Sequence, residues 1–162
     1  MSSRPSSRPE TDSAQSACNK KALDLLARRE HSRVELEHKL LARSFEPAVV
    51  EDVLDALEHS GALASDRFLE SFVRARAARG QGPARIRREL REHGIEPAAS
   101  AELLDSGEFD WNALASAARA KRFGAAGPKD HKDRARQGRF LEYRGFEMSQ
   151  IRRALDIRDD SD

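Results

Sequence analysis

The chain has 162 residues, of which 38% are hydrophobic and 35% charged, and the charges nearly cancel to a net +1. That balance is modest for one large apolar core, so of one ordinary domain or a string of small helical units the latter is favoured. Total charge gives no argument for a nucleic-acid partner, which leaves the distribution of charge to carry the reading. A single cysteine, Cys18, excludes an internal disulfide and suits a reducing compartment; no Cys or His pattern around it has zinc-ligand spacing. No apolar run approaches the about 18 residues of a membrane span, and the N-terminus lacks the apolar core of a signal peptide. The expectation is a cytoplasmic protein with no membrane contact.

In chain order, residues 1–18 are rich in serine, carry Arg4-Pro5 and Arg8-Pro9, and offer almost nothing apolar to bury. They are expected to form a disordered N-terminal tail. From Lys20 the apolar spacing becomes helical, with Ala22, Leu25 and Leu26 on one face to about Glu30. Ser32, with Glu35 three residues on, predicts a capping box that opens a second helix carrying Val34, Leu36, Leu40 and Leu41. A third follows Pro47, with Val49, Val50, Val53, Leu54 and Leu57 in a 3–4 rhythm, and Gly61 ends it. Ser65 and Asp66 open a fourth, whose face is Phe68, Leu69, Phe72 and Val73 and whose stop is Gly80.

Residues 82–97 then form the best punctuated stretch of the chain. Pro83 suits the first helical turn, where its missing N–H is no loss, and Gly94 suits the left-handed position after the last turn. Ile86 and Leu90 share one face, while Arg87, Arg88 and Arg91 project from the other. A sixth helix runs from Pro97 to Leu104. An alanine-rich helix over 112–122, a second over 130–144 and a third over 149–155 complete the series.

An internal repeat binds these helices together. At an offset of 50, Arg29, Leu36, Leu40, Phe45, Glu46 and Pro47 match Arg79, Ile86, Leu90, Ile95, Glu96 and Pro97. At an offset of 51, Leu90, Gly94, Ile95 and Glu96 match Leu141, Gly145, Phe146 and Glu147. The predicted fold is all-α, an elongated tandem array of three three-helix modules at 19–62, 63–107 and 108–157, with an acidic C-terminal end at 158–162. A unit of this size has a thin core, so neighbouring modules must share apolar surface. Trp111 is expected to anchor the start of module three against module two.

Charge is graded along the repeat. Residues 20–57 carry seven bases against eight acids, 66–93 eight against four, and 118–145 nine against three. The positive end could dock an acidic protein surface or phosphates, whereas Arg is also simply a good helix former on solvated faces. Arg76, four residues after Phe72 and seven after Leu69, falls on the apolar side of its helix, so its stem should be packed and its head held.

No catalytic or cofactor motif emerges. His31, Glu35 and His38 share one side of two helical turns, but the spacing is not His-Glu-x-x-His, and they read as an ordinary exposed histidine pair. Gly80-Gln81-Gly82-Pro83 and Gly124 to Pro128 resemble nucleotide loops only superficially: a helix, not a strand, precedes each, and each reads as a helix stop followed by a helix start. Serine nucleophiles lack an evident base, so no enzyme activity and no cofactor or metal is expected.

The residues do resemble a family. Ala22-Leu23-Asp24-Leu25-Leu26-Ala27-Arg28-Arg29-Glu30-His31-Ser32 with Glu35-Leu36 and Leu40, the stretch from Phe68 to Arg79, and Gly138-Arg139-Phe140-Leu141-Glu142-Tyr143-Arg144-Gly145-Phe146 with Ile151 and Leu155 are similar to RecX, the bacterial regulator of the RecA recombinase. The likeness spans residues 20–156. It implies a non-enzymatic modulator, typically an inhibitor, that binds the RecA filament and limits its growth or promotes its disassembly in recombination and the SOS response. Under that reading the partner-binding candidates are Arg76, Arg79, Arg87, Arg88, Arg91, Arg134, Arg136, Arg139 and Arg144. The expected partner is the RecA filament, with weak contact to DNA, and the expected state is a monomer. The rival reading is a helical DNA-binding module with arginines on phosphates, against which Ala98, Ala99 and Ser100 give a recognition helix little to read bases with.

Overall fold

The computed structural model describes residues 8–156, which hold nine α-helices and no strand. They divide into two compact units with the boundary after Phe68. The first unit contains α1 (Arg8–Arg28), α2 (Arg33–Leu41), α3 (Pro47–Ser60) and the first turn of α4 (Ser65–Ala78).

Of the tail expected over residues 1–18, the part from Arg8 onward is instead helical, in α1. Cys18 and Ala22 are wholly buried and Leu25 nearly so, against Val49, Val50 and Leu54 of α3 and Leu36 and Leu40 of α2 in one core. The face that holds α1 down is therefore made in part of small side chains, which a search for large aliphatic residues passes over. Burial also pushes the Cys18 thiol pKa up, which keeps it in the inert protonated form. Residues 1–7 and the acidic end at 158–162 lie outside the described residues.

Ser32 caps α2, its hydroxyl accepting from the Glu35 N–H at 3.1 Å. The Glu35 carboxylate is gripped by the Arg29 guanidinium and approached by Lys39 Nζ at 3.3 Å. His31, expected to be exposed, is 1% exposed. Its Nδ1 lies 3.0 Å from the Arg29 carbonyl and its Nε2 2.8 Å from Lys39 Nζ, so the ring is a buried joint between α1 and α2. The helix approach that buries it comes from tertiary packing, which local polarity does not reveal.

The second unit contains the rest of α4 and α5 (Pro83–Glu92), α6 (Pro97–Leu104), α7 (Trp111–Phe123), α8 (His131–Arg144) and α9 (Met148–Leu155). The repeat holds in three dimensions. Leu40, Leu90 and Leu141 are each fully buried, and Glu46, Glu96 and Glu147 each stand at the N-cap of the third helix of their module. Burying one such leucine is worth ~1.5–3 kcal/mol, enough for the repeated apolar positions to specify the modules.

Modules two and three also end their middle helices alike. Ile95 N–H donates to Leu90 O at 3.0 Å and Phe146 N–H to Leu141 O at 3.1 Å, closing over Gly94 and Gly145 in the left-handed region at φ 74 and 96. Module one places Ser44 there, at φ 66.

Two features join modules two and three. Trp111 is buried at the start of α7, and its indole N–H donates to Leu104 O at the end of α6, 2.9 Å away, as its anchoring role requires. The N-terminus of α5 meets the C-terminus of α8: Gly82 N–H donates to Arg144 O at 2.8 Å and Ala84 N–H to Gly145 O at 2.9 Å. Donors with no partner inside α5 thus satisfy carbonyls with none inside α8, and the opposite ends of two helix dipoles meet. The crossing is so close that a Cβ on Gly82 would overlap the backbone of Gly145 and Phe146, and one on Gly145 would overlap Arg85.

Candidate partner-binding surface

The arginines singled out by sequence separate into held and free side chains. Arg76 is held: its Nε donates to Glu89 at 2.9 Å, and its guanidinium lies 4.5 Å from the centroid of the Phe72 ring. Glu89 also receives Arg85 at 3.3 Å. A packed stem and a held head were expected for Arg76, and both are present; its charge is spent inside module two.

Arg87 reaches Glu147 at 3.5 Å and Asp105 at 3.8 Å, so it links α5 to the start of α9 and the end of α6. Arg134 is fixed to the end of α9 by Asp156 at 2.7 Å and Leu155 O at 3.4 Å. Arg136 pairs with Asp133 on its own helix at 2.8 Å and lies over the Phe123 ring. Arg144 donates to Arg79 O at 3.3 Å and lies 5.2 Å from the Phe140 centroid.

Arg88, Arg91 and Arg139 differ. They are exposed, and among the described residues none has an ion-pair partner. The Arg79 side chain is likewise exposed and unpaired, although its carbonyl is used. Arg88 and Arg91 leave the helix face opposite Ile86 and Leu90, both fully buried, so packing of α5 fixes the direction in which these two charges point.

One arginine was missed as a structural residue. Arg119 is 3% exposed, four residues after the fully buried Ala115, and donates to Gln137 Oε1 and to the carbonyls of Ala125 and Ala126. It ties the loop after α7 to α8. Its signal was an isolated base within an alanine-rich apolar face.

Among the described residues, no group of three or more His, Cys, Asp or Glu side chains is arranged to hold a metal ion, and no helix is long and apolar enough to cross a membrane. The surface offers placed cations on a rigid helical frame, suited to recognising negative charge.

The three modules correspond to three family profiles. Those for the first, second and third three-helix domains of RecX match residues 18–57, 66–104 and 110–155. The chain belongs to the RecX family. Two relatives named regulatory protein RecX support the assignment across nearly the whole length. The one from Halorhodospira halophila (strain DSM 244 / SL1) is 46% identical over 94% of this chain and 95% of its own. The one from Pseudomonas fluorescens (strain SBW25) is 47% identical over 90% of this chain and 94% of its own.

Solved RecX structures share the fold. RecX from Lactobacillus salivarius superposes with a TM-score of 0.71 at 19% identity, covering 89% of this chain and 96% of that one. A second structure, described as regulatory protein RecX, gives 0.76 at 21% identity, over 91% and 74%. Within the RecX family, then, this chain is an all-α protein of three three-helix domains in tandem.

Proposed function

We propose that the chain is a non-enzymatic regulator of the RecA recombinase, acting as a cytoplasmic monomer that binds the RecA nucleoprotein filament and limits its growth or promotes its disassembly. Membership of a family whose relatives are named regulatory proteins, over nearly the full length, carries this reading. The contact residues best placed for it are the unpaired arginines of the second unit, Arg88 and Arg91 of α5 and Arg139 of α8, with Arg79. Arg76 and Arg134 support the frame instead, because their charges are already engaged. Several weak charge contacts made together bind more tightly than any one alone, and weak salt-sensitive affinity for naked DNA follows from the same cations.

The test is RecA ATPase activity on single-stranded DNA with this protein well below RecA stoichiometry, beside naked-DNA binding over a salt series. Inhibition at low ratio without strong naked-DNA binding is expected, and Arg88→Glu with Arg91→Glu should weaken it while helicity by circular dichroism stays unchanged. No inhibition at equimolar protein, with active RecA confirmed, overturns the proposal. Tight naked-DNA binding without inhibition would make the chain a DNA-binding module instead.

A further inference from the structure

The C-terminal end of α4, α7 and α8 enclose a cleft of about 310 Å³ that opens to solvent. Small side chains, Ala77 and Ala78 of α4 with Ala117 and Ala118 of α7, line it together with Leu114 and Phe140. The α7 residues recur at helical spacing, so one stripe of that helix faces the opening. The next turn of the stripe is basic: Lys121 and Arg122 line the cleft too, as do Arg79 and Arg144.

Among the described residues, four cations line this cleft beside the apolar side chains and no carboxylate does. Arg79, Lys121 and Arg122 are exposed and have no ion-pair partner among the described residues, while Arg144 donates to Arg79 O. Like charges gathered around a low-dielectric hollow focus a positive field into it.

We infer that this cleft is a docking site for an acidic peptide segment, with one aliphatic side chain of the partner against its alanines and flanking carboxylates on Arg79, Lys121, Arg122 and Arg144. Both halves of the chemistry are needed to explain the site. A phosphate backbone would be served by the cations alone and gains nothing from a lining of methyl groups. Nor is there a free aromatic face for a base, since Phe140 packs edge-on against Phe123 at 5.3 Å and carries the Arg144 guanidinium at 5.2 Å. Alanines let a partner's backbone approach closely, and the hollow suits a side chain of leucine size. The inference deepens the reading of the chain as a regulator that binds another protein, and it names the chemistry of the partner segment.

The test uses the full-length protein with 13C-labelled alanine methyls. The probe is a short peptide in which a single leucine is set among aspartates and glutamates. Saturable shifts of the Ala77, Ala78, Ala117 and Ala118 methyls are expected. Ala117→Leu, at an exposed position that the helix tolerates, adds bulk to the lining and should weaken them. Lys121→Glu with Arg122→Glu, and separately a glycine in place of the peptide's leucine, should each weaken binding at least about fivefold.

Three results overturn the inference: no saturable shift at these methyls, equal binding by the glycine peptide, or tighter occupation of the cleft by single-stranded oligothymidine. Shifts produced by raising the protein concentration alone would assign the cleft to a second copy of the chain and overturn it too. RecA is absent from this experiment, so its outcome stands apart from the ATPase assay. Peptide binding without RecA inhibition would remove the proposed function and leave the cleft, and inhibition without peptide binding would do the reverse.

Discussion

The chemistry of His31 is altered by its place in the fold. Lys39 can only donate, so Nε2 must accept from it, and Nδ1 then carries the ring proton toward the Arg29 carbonyl. Burial lowers the His31 pKa from its ordinary value, and the adjoining Arg29 and Lys39 charges add to that, against the Arg29 carbonyl and Glu35. Glu35 moves down as well: burial alone would raise it, but the Arg29 hydrogen bond and the nearby positive charges outweigh burial and bring it to about 2. In both cases the folded state binds its proton less readily than the unfolded chain does, so stability is present above the unfolded pKa and is lost as pH falls. The windows differ. For His31 the loss begins near the ordinary value of 6.5, and for Glu35 it runs from about 4.5 down to about 2. Denaturant midpoints measured from neutral to acid pH should therefore decline in two stages. His31→Gln should flatten the first stage and leave the second; an unchanged slope near pH 6 would mean that the ring takes its proton without strain.

Among the elements, α5 is the best defined locally, yet part of its role is invisible in its own sequence. Pro83, Gly94 and the Ile86–Leu90 pair mark its ends and its buried face, because each acts within one or two turns. The start of α1 was not legible, since residues 9–17 bury no apolar face and Cys18 is the first described residue of the helix to be buried. Nor was the crossing of α5 and α8 legible: two glycines far apart in the chain become partners only when modules two and three pack. Gly82 gives the clean test of that crossing. Its φ is −91, so alanine suits the backbone there and would by itself stabilise by ~0.4–1 kcal/mol through the unfolded chain. A Cβ at this point, however, overlaps the backbone of Gly145 and Phe146, which no rotamer change relieves. Gly82→Ala should accordingly destabilise by about 2 kcal/mol or more in chemical denaturation. A neutral or stabilising result would show that the crossing opens at little expense. Ser44 shows that the left-handed position at the end of a middle helix does not itself demand glycine, so the demand at Gly145 comes from Arg85 as well as from its φ of 96.

At the scale of the molecule, what distinguishes the modules is how their charge is used. The apolar repeat was readable because it recurs at fixed offsets and each copy is buried in the same way. The candidate surface was only half readable: sequence located the arginines and their gradient but could not separate those that meet an acid in space from those that do not. Glu89 lies thirteen residues from Arg76 and Asp156 twenty-two from Arg134, and no local pattern pairs them. Arg76 has its Nε on Glu89 and its plane over Phe72, so Arg76→Ala removes a charge-assisted bond and a packed stem, and should lower stability by about 1–2 kcal/mol. Arg88 is exposed and unpaired among the described residues, so Arg88→Ala should change stability by no more than about 0.5 kcal/mol. Regulation of RecA should follow the opposite order. Below the melting transition, Arg76→Ala should inhibit RecA ATPase as the parent does, whereas Arg88→Ala should inhibit less, and the deficit should shrink as salt is raised, because an exposed charge contact is screened within a Debye length of about 8–10 Å. If both variants lost inhibition in proportion to lost stability, the free arginines would be a solvated face and the surface would have to be sought elsewhere on the second unit.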